Sequence, residues 1–242
     1  MLLITHSVNL GHRLRPKVGL KSTSKIGRKR MDKERVEWIL KRAGAIITND
    51  HFVYKSGKHG SVYVNKDALY LHPEDVSLIC VEIAKFFSNG NVEVVVGPAL
   101  GGIILSQHTA LRLRKLTMHQ VFSVYAEKSD DGENFVFRRG YDKVVAGKQV
   151  LVVEDVLTTG TSARKTVEAV RAVGGEVVGV AAICNRGGVT AEDVGGVPRL
   201  EVLMEISLES YNEAECPLCE QGVPINIDVG HGAKFLEAQA SG

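Results

Sequence analysis

The stretch LVVEDVLTTGTS, residues 151–162, sets two adjacent carboxylates, Glu154 and Asp155, between an apolar run and a small, hydroxyl-rich segment. The apolar run reads as a buried strand ending at Val153, and a helical pattern begins near Ala163. Thr158–Ser162 therefore joins a strand end to a helix start. The first backbone N–H groups of a helix lack partners and carry partial positive charge. Gly160 permits the tight turn, small side chains admit an anion, and the threonine and serine hydroxyls add donors; together they describe a phosphate cradle. The sequence contains no G-x-x-x-x-G-K-[ST] and no G-x-G-x-x-G, so this is neither a P-loop nor a dinucleotide fingerprint. Two acids facing a phosphate would repel it. They make sense if they accept hydrogen bonds from neutral hydroxyls on the same ligand, or help to hold a divalent cation. A sugar phosphate meets both demands. The plainer alternative, that both acids cap the following loop, explains one acid more easily than two.

The elements that must position these groups alternate along the chain. Val92–Val96 reads as a strand that runs into GPALGG, residues 97–102, with a helix from Ile103 to Leu113. Gln120–Tyr125 is the next strand, residues 127–148 are polar and loop-like, Gln149–Val153 is a strand, and Ala163–Val173 is a helix ended by Gly174 and Gly175. Val177–Cys184 is a further apolar strand. Strands apolar on both faces, alternating with helices, predict an α/β fold with a parallel sheet covered by helices. Ligands in such folds bind beyond the carboxyl ends of the strands, where both GPALGG and the opening stretch lie. Upstream, residues 32–43 place Val36, Ile39 and Leu40 on one helical face, residues 51–66 read as a hairpin, and Pro73 opens a helix with a broad apolar face reaching Phe87.

The bulk numbers are those of an ordinary soluble globular protein. Of 242 residues, 44% are hydrophobic and 24% charged, the composition of one large domain or a domain with an appendage. No apolar run approaches the roughly 18 residues of a membrane span. The net charge of +2 conceals an asymmetry: residues 1–30 carry eight Lys/Arg and no acid, leaving 22 basic against 28 acidic residues in the other 212. That mildly acidic body gives no nucleic-acid footprint. The basic leader is open to three readings: a disordered tail, translated sequence upstream of a true start at Met31, or an organelle transit peptide. The apolar stretch Met1–Ile4 is too short for a secretory signal. Cys80 and Cys184 lie in apolar runs and read as core residues, and nothing suggests a secreted disulfide framework. Cys216-x-x-Cys219 is half a zinc site at best. Completing it would take His231 and another ligand, or a second subunit, and it reads more simply as a thiol-bearing loop on the rim.

Val150–Ala163 resembles the phosphoribosyl pyrophosphate motif of type I phosphoribosyltransferases: an apolar strand, two acids, two variable residues, then Thr-Gly-Thr/Ser. The resemblance implies that Glu154 and Asp155 contact the ribose hydroxyls while Thr158, Thr159, Gly160, Thr161 and Ser162 bind the 5-phosphate. FVYKSGKHGSVYVNK, residues 52–66, is similar to the N-terminal hood segment of orotate phosphoribosyltransferases. On that basis Lys55, Tyr63 and Val64 meet the pyrimidine. GPALGG resembles the family's pyrophosphate loop, so Ala99, Leu100, Gly101 and Gly102 would approach the diphosphate, and Arg186 takes the position of an orotate-binding arginine. Its bidentate fork suits the orotate carboxylate. Taken alone, Lys55 and Arg186 each read more simply as surface ion-pair partners.

The resemblance covers residues 32–190 and implies a type I phosphoribosyltransferase fold, a central mostly parallel sheet flanked by helices. It implies one domain over residues 31–242, with a hood built from about 31–70 and a C-terminal segment, 205–242. It also departs from the family. The mobile loop usually begins Arg-Lys and continues with Lys and His-Gly. Here Glu127 replaces the arginine, Lys128 remains, and Asp130, Asp131 and Glu133 intrude. Arg138 and Arg139 are the cations at hand to supply the missing charge. Gly101 stands where some members carry lysine. SDDGEN lacks the spacing of a calcium loop.

The implied reaction moves ribose 5-phosphate from phosphoribosyl pyrophosphate to orotate, giving orotidine 5-phosphate and diphosphate in pyrimidine biosynthesis. Mg²⁺ carried on the diphosphate is the expected cofactor, with no metal site of the protein's own. Lys128 and Asp155 are the expected catalytic residues. Catalysis rests on positioning and electrostatics, with closure of loop 127–142 excluding water. A cytoplasmic homodimer sharing that loop, without nucleic-acid or membrane partners, is expected by resemblance. Two rivals stay open: the same transfer to a purine or uracil, and a non-catalytic regulator that senses the donor.

Overall fold

Runs of Val, Leu, Ile and Ala with no polar alternation build the sheet's interior strands, because helices cover both of its faces. The computed structural model describes residues 33–206 and 209–240; the basic leader lies outside them. The elements in order are α1 (Lys33–Arg42), β1 (Ile46–Val53), β2 (His59–Val64), α2 (Lys66–Tyr70), α3 (Pro73–Phe87), β3 (Val94–Pro98), α4 (Gly101–Thr117), β4 (Phe122–Lys128), β5 (Phe135–Val136), α5 (Tyr141–Val145), β6 (Gln149–Leu157), α6 (Thr161–Ala172), β7 (Glu176–Asn185), β8 (Leu200–Glu205), α7 (Pro217–Glu220) and α8 (Gly232–Ala240). The six-stranded sheet has the order β5-β4-β3-β6-β7-β8. All its pairings are parallel except β4 with the two-residue β5.

Alternation along β6 splits the core into two layers. Leu151 and Val153 join a cluster with Val36, Ile79, Ile83 and Leu105, from α1, α3 and α4. Val150 and Val152 join the opposite cluster with Val145, Ala163, Val167 and Val170, from α5 and α6. Cys80 and Cys184 are buried as the sequence predicts. Pro73 opens α3 at its first turn, where its missing N–H costs nothing.

Outside the sheet, β1 and β2 form an antiparallel hairpin. The C-terminal segment straps onto it: Tyr211 and His59 exchange backbone hydrogen bonds of 2.8 and 2.9 Å, and Asn226 N–H donates to the His51 carbonyl at 2.7 Å. Among the described residues, no helix is long and apolar enough to cross a membrane.

Several boundaries differ from the sequence reading. β6 runs four residues past Val153, so Glu154 and Asp155 sit within the strand rather than after it. Strand pairing with β7 through Asn185 carries the acids along. Residues 127–148 are not all loop: they hold the end of β4, then β5 and α5. Gly101 and Gly102 begin α4 instead of preceding it, and β1 starts at Ile46, before the predicted hairpin. The short helix α2 and the edge strand β8 carry too little periodicity to be read in advance.

Candidate active site

The C-terminal ends of β3 and β6 and the N-terminal ends of α4 and α6 converge on a cleft of about 400 Å³. Tyr63, Val64, Lys66, Ala99, Leu100, Gly101, Glu154, Asp155, Thr158, Ser162 and Arg186 all contribute to its lining. A second open cleft of about 660 Å³ continues from it, sharing Tyr63, Thr158 and Arg186 and adding Tyr54, Lys55, Ser56, Ser210 and His231.

Asp155 extends the face of Leu151 and Val153 out of the core and is buried. Its Oδ2 accepts from Lys66 Nζ at 2.9 Å and from the Tyr70 hydroxyl at 3.2 Å, both on α2. Its Oδ1 accepts from Val156 N–H at 2.7 Å. Glu154 accepts from Asp155 N–H at 3.0 Å. Burial, with the Asp155 carboxylate adding, pushes the Glu154 carboxyl up to about 8. Burial and then Asp155 likewise raise the Tyr70 phenol. Burial is the largest single influence on the Lys66 ammonium and works against it, but the bond to Asp155 and the charges of Asp155, Asp67 and Glu154 together outweigh it, so its pKa is raised.

Close backbone approaches shape the walls. A Cβ on Gly97 would stand 2.1 Å from the Gly102 carbonyl oxygen, so glycine is what lets β3 turn directly into α4. The Ala99–Leu100 peptide is cis. On the other wall Gly160 takes φ 72° as the cap of α6 and has no side chain to offer, while Thr159 Oγ1 accepts from Thr161 N–H at 3.4 Å. The first turn of α6 borders the cleft at Ser162, where the partial positive charge of a helix N-terminus attracts an anion. Arg186 Nε donates to Thr158 Oγ1 at 2.8 Å, tying the base of the cradle to the loop after β7.

A phosphoribosyl transferase domain matches residues 72–204. The chain belongs to the phosphoribosyltransferase family. This phosphoribosyltransferase is 36% identical over 195 residues to the orotate phosphoribosyltransferase of Caldanaerobacter subterraneus, covering 81% of this chain and 96% of that protein. It is 39% identical over 201 residues to the orotate phosphoribosyltransferase of Thermotoga maritima, covering 82% and 100%. The crystal structure of Mycobacterium tuberculosis orotate phosphoribosyltransferase in complex with inorganic phosphate superposes with a TM-score of 0.58 at 27% identity, over 72% of this chain and 96% of that one. The complex of the same enzyme with 5-phospho-alpha-D-ribosyl 1-diphosphate gives 0.52 at 26% identity, over 72% and 88%.

In this phosphoribosyltransferase most of the sequence-derived site residues come together. Glu154, Asp155, Thr158, Ser162, Ala99, Leu100, Gly101, Tyr63, Val64 and Arg186 line the first cleft, and Lys55 lines the second. Gly160 and Thr161 form the α6 start, where Thr159 and Thr161 hydroxyls lie 2.9 Å apart. Gly102 packs behind the loop, against Pro98 and Gly97. Lys128 is the exception: it ends β4, is exposed, and lines neither cleft. Arg138 and Arg139 are engaged as well. Both pair with Glu127, and Arg138 also holds Asp130 at 2.6 Å.

Lys66, which lines the first cleft, and Tyr70, which backs Asp155, are residues the sequence reading missed. Their link to Asp155 spans 89 and 85 positions; the one available signal was that Lys66 directly follows Tyr63-Val64-Asn65. The C-x-x-C is not a rim loop: Cys216 is buried. His231 lies in the second cleft rather than beside the cysteines.

Proposed function

We infer that the chain is an orotate phosphoribosyltransferase, transferring ribose 5-phosphate from phosphoribosyl pyrophosphate to orotate with release of diphosphate. The observation that carries this reading is one continuous cleft with two chemically different ends. One end has buried acids beside the N-terminus of α6. The other has two cations, Lys55 and Arg186, flanking Tyr63. The first end suits a ligand with hydroxyls and a phosphate. The second suits a planar anion.

On this reading Glu154 and Asp155 receive the ribose hydroxyls, and Thr158 through Ser162 receive the 5-phosphate. The loop Ala99–Gly102 approaches the diphosphate with its backbone. As the bond to diphosphate breaks, positive charge grows on the ribose. The Asp155 carboxylate, already held by Lys66 and Tyr70, offers a fixed negative charge nearby at no reorganisation cost. Deprotonated orotate is itself the nucleophile, so its nitrogen forms the new bond and no strong protein base is needed. Lys55 and Arg186 hold its carboxylate and oxygens in line. Lys128 reaches the leaving diphosphate on closure of loop 127–142.

Mg²⁺ belongs to the same proposal. The side chains at the donor end are carboxylates and hydroxyls, hard oxygen donors that fit this ion. When bound on the diphosphate, Mg²⁺ supplies charge neutralisation of the leaving group. We assign the working state as a cytoplasmic homodimer. Four free thiols suit a reducing compartment. Ile104 and Leu111, exposed seven residues apart on α4, and Met118 at its C-terminal cap give a second copy an apolar surface to cover.

The decisive experiment incubates the purified protein with Mg²⁺, phosphoribosyl pyrophosphate and a panel of bases, with product followed by ultraviolet absorbance. Turnover of orotate is expected. Turnover of a purine or uracil in its place, or tight donor binding without any turnover, overturns the reading.

A further inference from the structure

Away from the cleft, four metal-binding side chains from opposite ends of the chain meet in the interior. His51 lies in β1, His59 opens β2, Cys216 caps α7 and Cys219 lies within it. Their ligand atoms all fall within 4.8 Å of one another, and His51, His59 and Cys216 are buried. His51 Nε2 stands 2.9 Å from His59 Nδ1 and 3.7 Å from each sulfur. His59 Nδ1 is 3.3 Å from Cys219 Sγ. In a tetrahedral zinc site, bonds of about 2.05 Å to nitrogen and about 2.3 Å to sulfur set edges of about 3.3 Å (N–N) and about 3.6 Å (N–S). The observed separations lie within a few tenths of an ångström of these edges.

The surroundings fit as well. His51 Nδ1 is 2.8 Å from the Val223 carbonyl oxygen. An N–H donated there leaves the Nε2 lone pair facing the cluster, the usual outer support of a metal-bound histidine. Hydrogen bonding alone satisfies the group poorly. Two imidazole nitrogens at 2.9 Å share one proton between them; an ion on His59 Nδ1 leaves the proton on Nε2, on a ring packed edge-on against Phe235. Two thiolates and two neutral imidazoles around a divalent ion also sum to zero charge, the balance a buried site needs.

We propose that His51, His59, Cys216 and Cys219 bind one zinc ion that fastens the C-terminal segment to the β1–β2 hairpin. Binding forms two Zn–S and two Zn–N bonds and releases the two thiol protons to solvent. A tetrahedral set of two sulfurs and two nitrogens selects zinc over magnesium or calcium. His51 and His59 bracket the turn that carries Lys55, closed by Tyr54 N–H to Lys58 O at 2.8 Å. The metal thereby fixes the ends of the segment that presents Lys55 to the second cleft. That consequence rests on the orotate reading; the metal site does not.

The test begins with the full chain purified without immobilised-metal chromatography, its metal content measured by mass spectrometry. About one zinc per chain is expected, retained in His231→Ala and lost in Cys216→Ser/Cys219→Ser. Cobalt uptake by the wild-type protein gives an answer independent of whether that variant folds: tetrahedral ligand-field bands with thiolate-to-cobalt charge transfer. Chelation is expected to lower the melting temperature and raise the KM for orotate severalfold while leaving the donor KM in place. Protein that neither carries nor takes up zinc or cobalt overturns the proposal, as does undiminished zinc in a folded double variant or a cobalt spectrum without thiolate bands. Bound zinc whose removal leaves the orotate KM unchanged keeps the site and overturns its link to Lys55.

Discussion

Gly101 and Asp155 are in contact across the cleft, backbone against carboxylate: a Cβ on Gly101 would stand 2.2 Å from Asp155 Oδ2. The same Cβ would lie 3.1 Å from the Tyr70 hydroxyl. Glycine here makes room for the acid and its partner. Gly101→Ala therefore displaces the carboxylate or the start of α4. We expect kcat/KM for the donor to fall on the order of tenfold or more, with the circular dichroism spectrum unchanged. An alanine variant with wild-type kinetics would show that Asp155 needs no such room.

Asp155→Asn keeps the shape of the side chain and removes the charge that Lys66 and Tyr70 surround. The donor KM rises, and kcat falls on the order of tenfold to a hundredfold if the carboxylate faces developing charge. The orotate KM stays near its wild-type value. Lys66→Met is expected to act in the same direction and more weakly, because Lys66 is 45% exposed and water partly replaces it. Steady-state kinetics with each substrate varied in turn separates these effects.

Glu154 predicts a pH dependence of stability. Its carboxyl is raised from 4.5 to about 8 in the folded protein. Between those values the folded state holds a proton that the unfolded chain has given up. The stabilising contribution is complete below about pH 4.5 and is lost as pH rises through about 8. Glu154→Gln removes it. Melting temperatures of the ligand-free proteins are expected to diverge with rising pH, the variant gaining on the wild type up to about pH 8 and running parallel beyond. Parallel curves across the whole range would show that the group titrates normally.

Lys55 and Arg186 differ in what else they hold. Arg186 Nε also bonds Thr158 Oγ1 at the phosphate cradle, whereas Lys55 is exposed and borders the second cleft alone. Lys55→Ala is expected to raise the orotate KM about tenfold and leave the donor KM alone. Arg186→Lys, which loses the planar fork, raises both. Kinetics in which Arg186→Lys leaves the donor KM unchanged would separate the arginine from the cradle.

The strand–loop–helix from Gln149 to Ala172 was legible because its signals are local: an apolar run, then small polar residues, then a helical period. The position of Glu154 and Asp155 within β6 was not, because pairing with Ala182 and Cys184 of β7 extends the strand past the point where its own apolar run ends. Contacts across long sequence separations were equally hidden. Lys66 meets Asp155, and His51 meets Cys216, through the fold alone. The search for partners to the cysteines favoured His231, near in sequence; the histidines that meet them sit in an apolar hairpin more than 150 positions upstream. The charge deficit of loop 127–142 was legible, but not that Arg138 and Arg139 would be absorbed by Glu127 and Asp130.

The strapping of the tail onto the hairpin bears on how the protein is made. Tyr211, the bridge partner of His59, leaves the ribosome 152 residues after it, and Ile225, the partner of His51, later still. The strands β3, β6 and β7 can pair before then, since all of them precede residue 186. A nascent chain therefore has the strands that carry the first cleft in place while the segment bearing Lys55 still lacks its C-terminal neighbours. Synthesis completes the second cleft last, and a chain cut short before Tyr211 keeps the sheet but lacks His231 from that cleft and the strap across its hairpin.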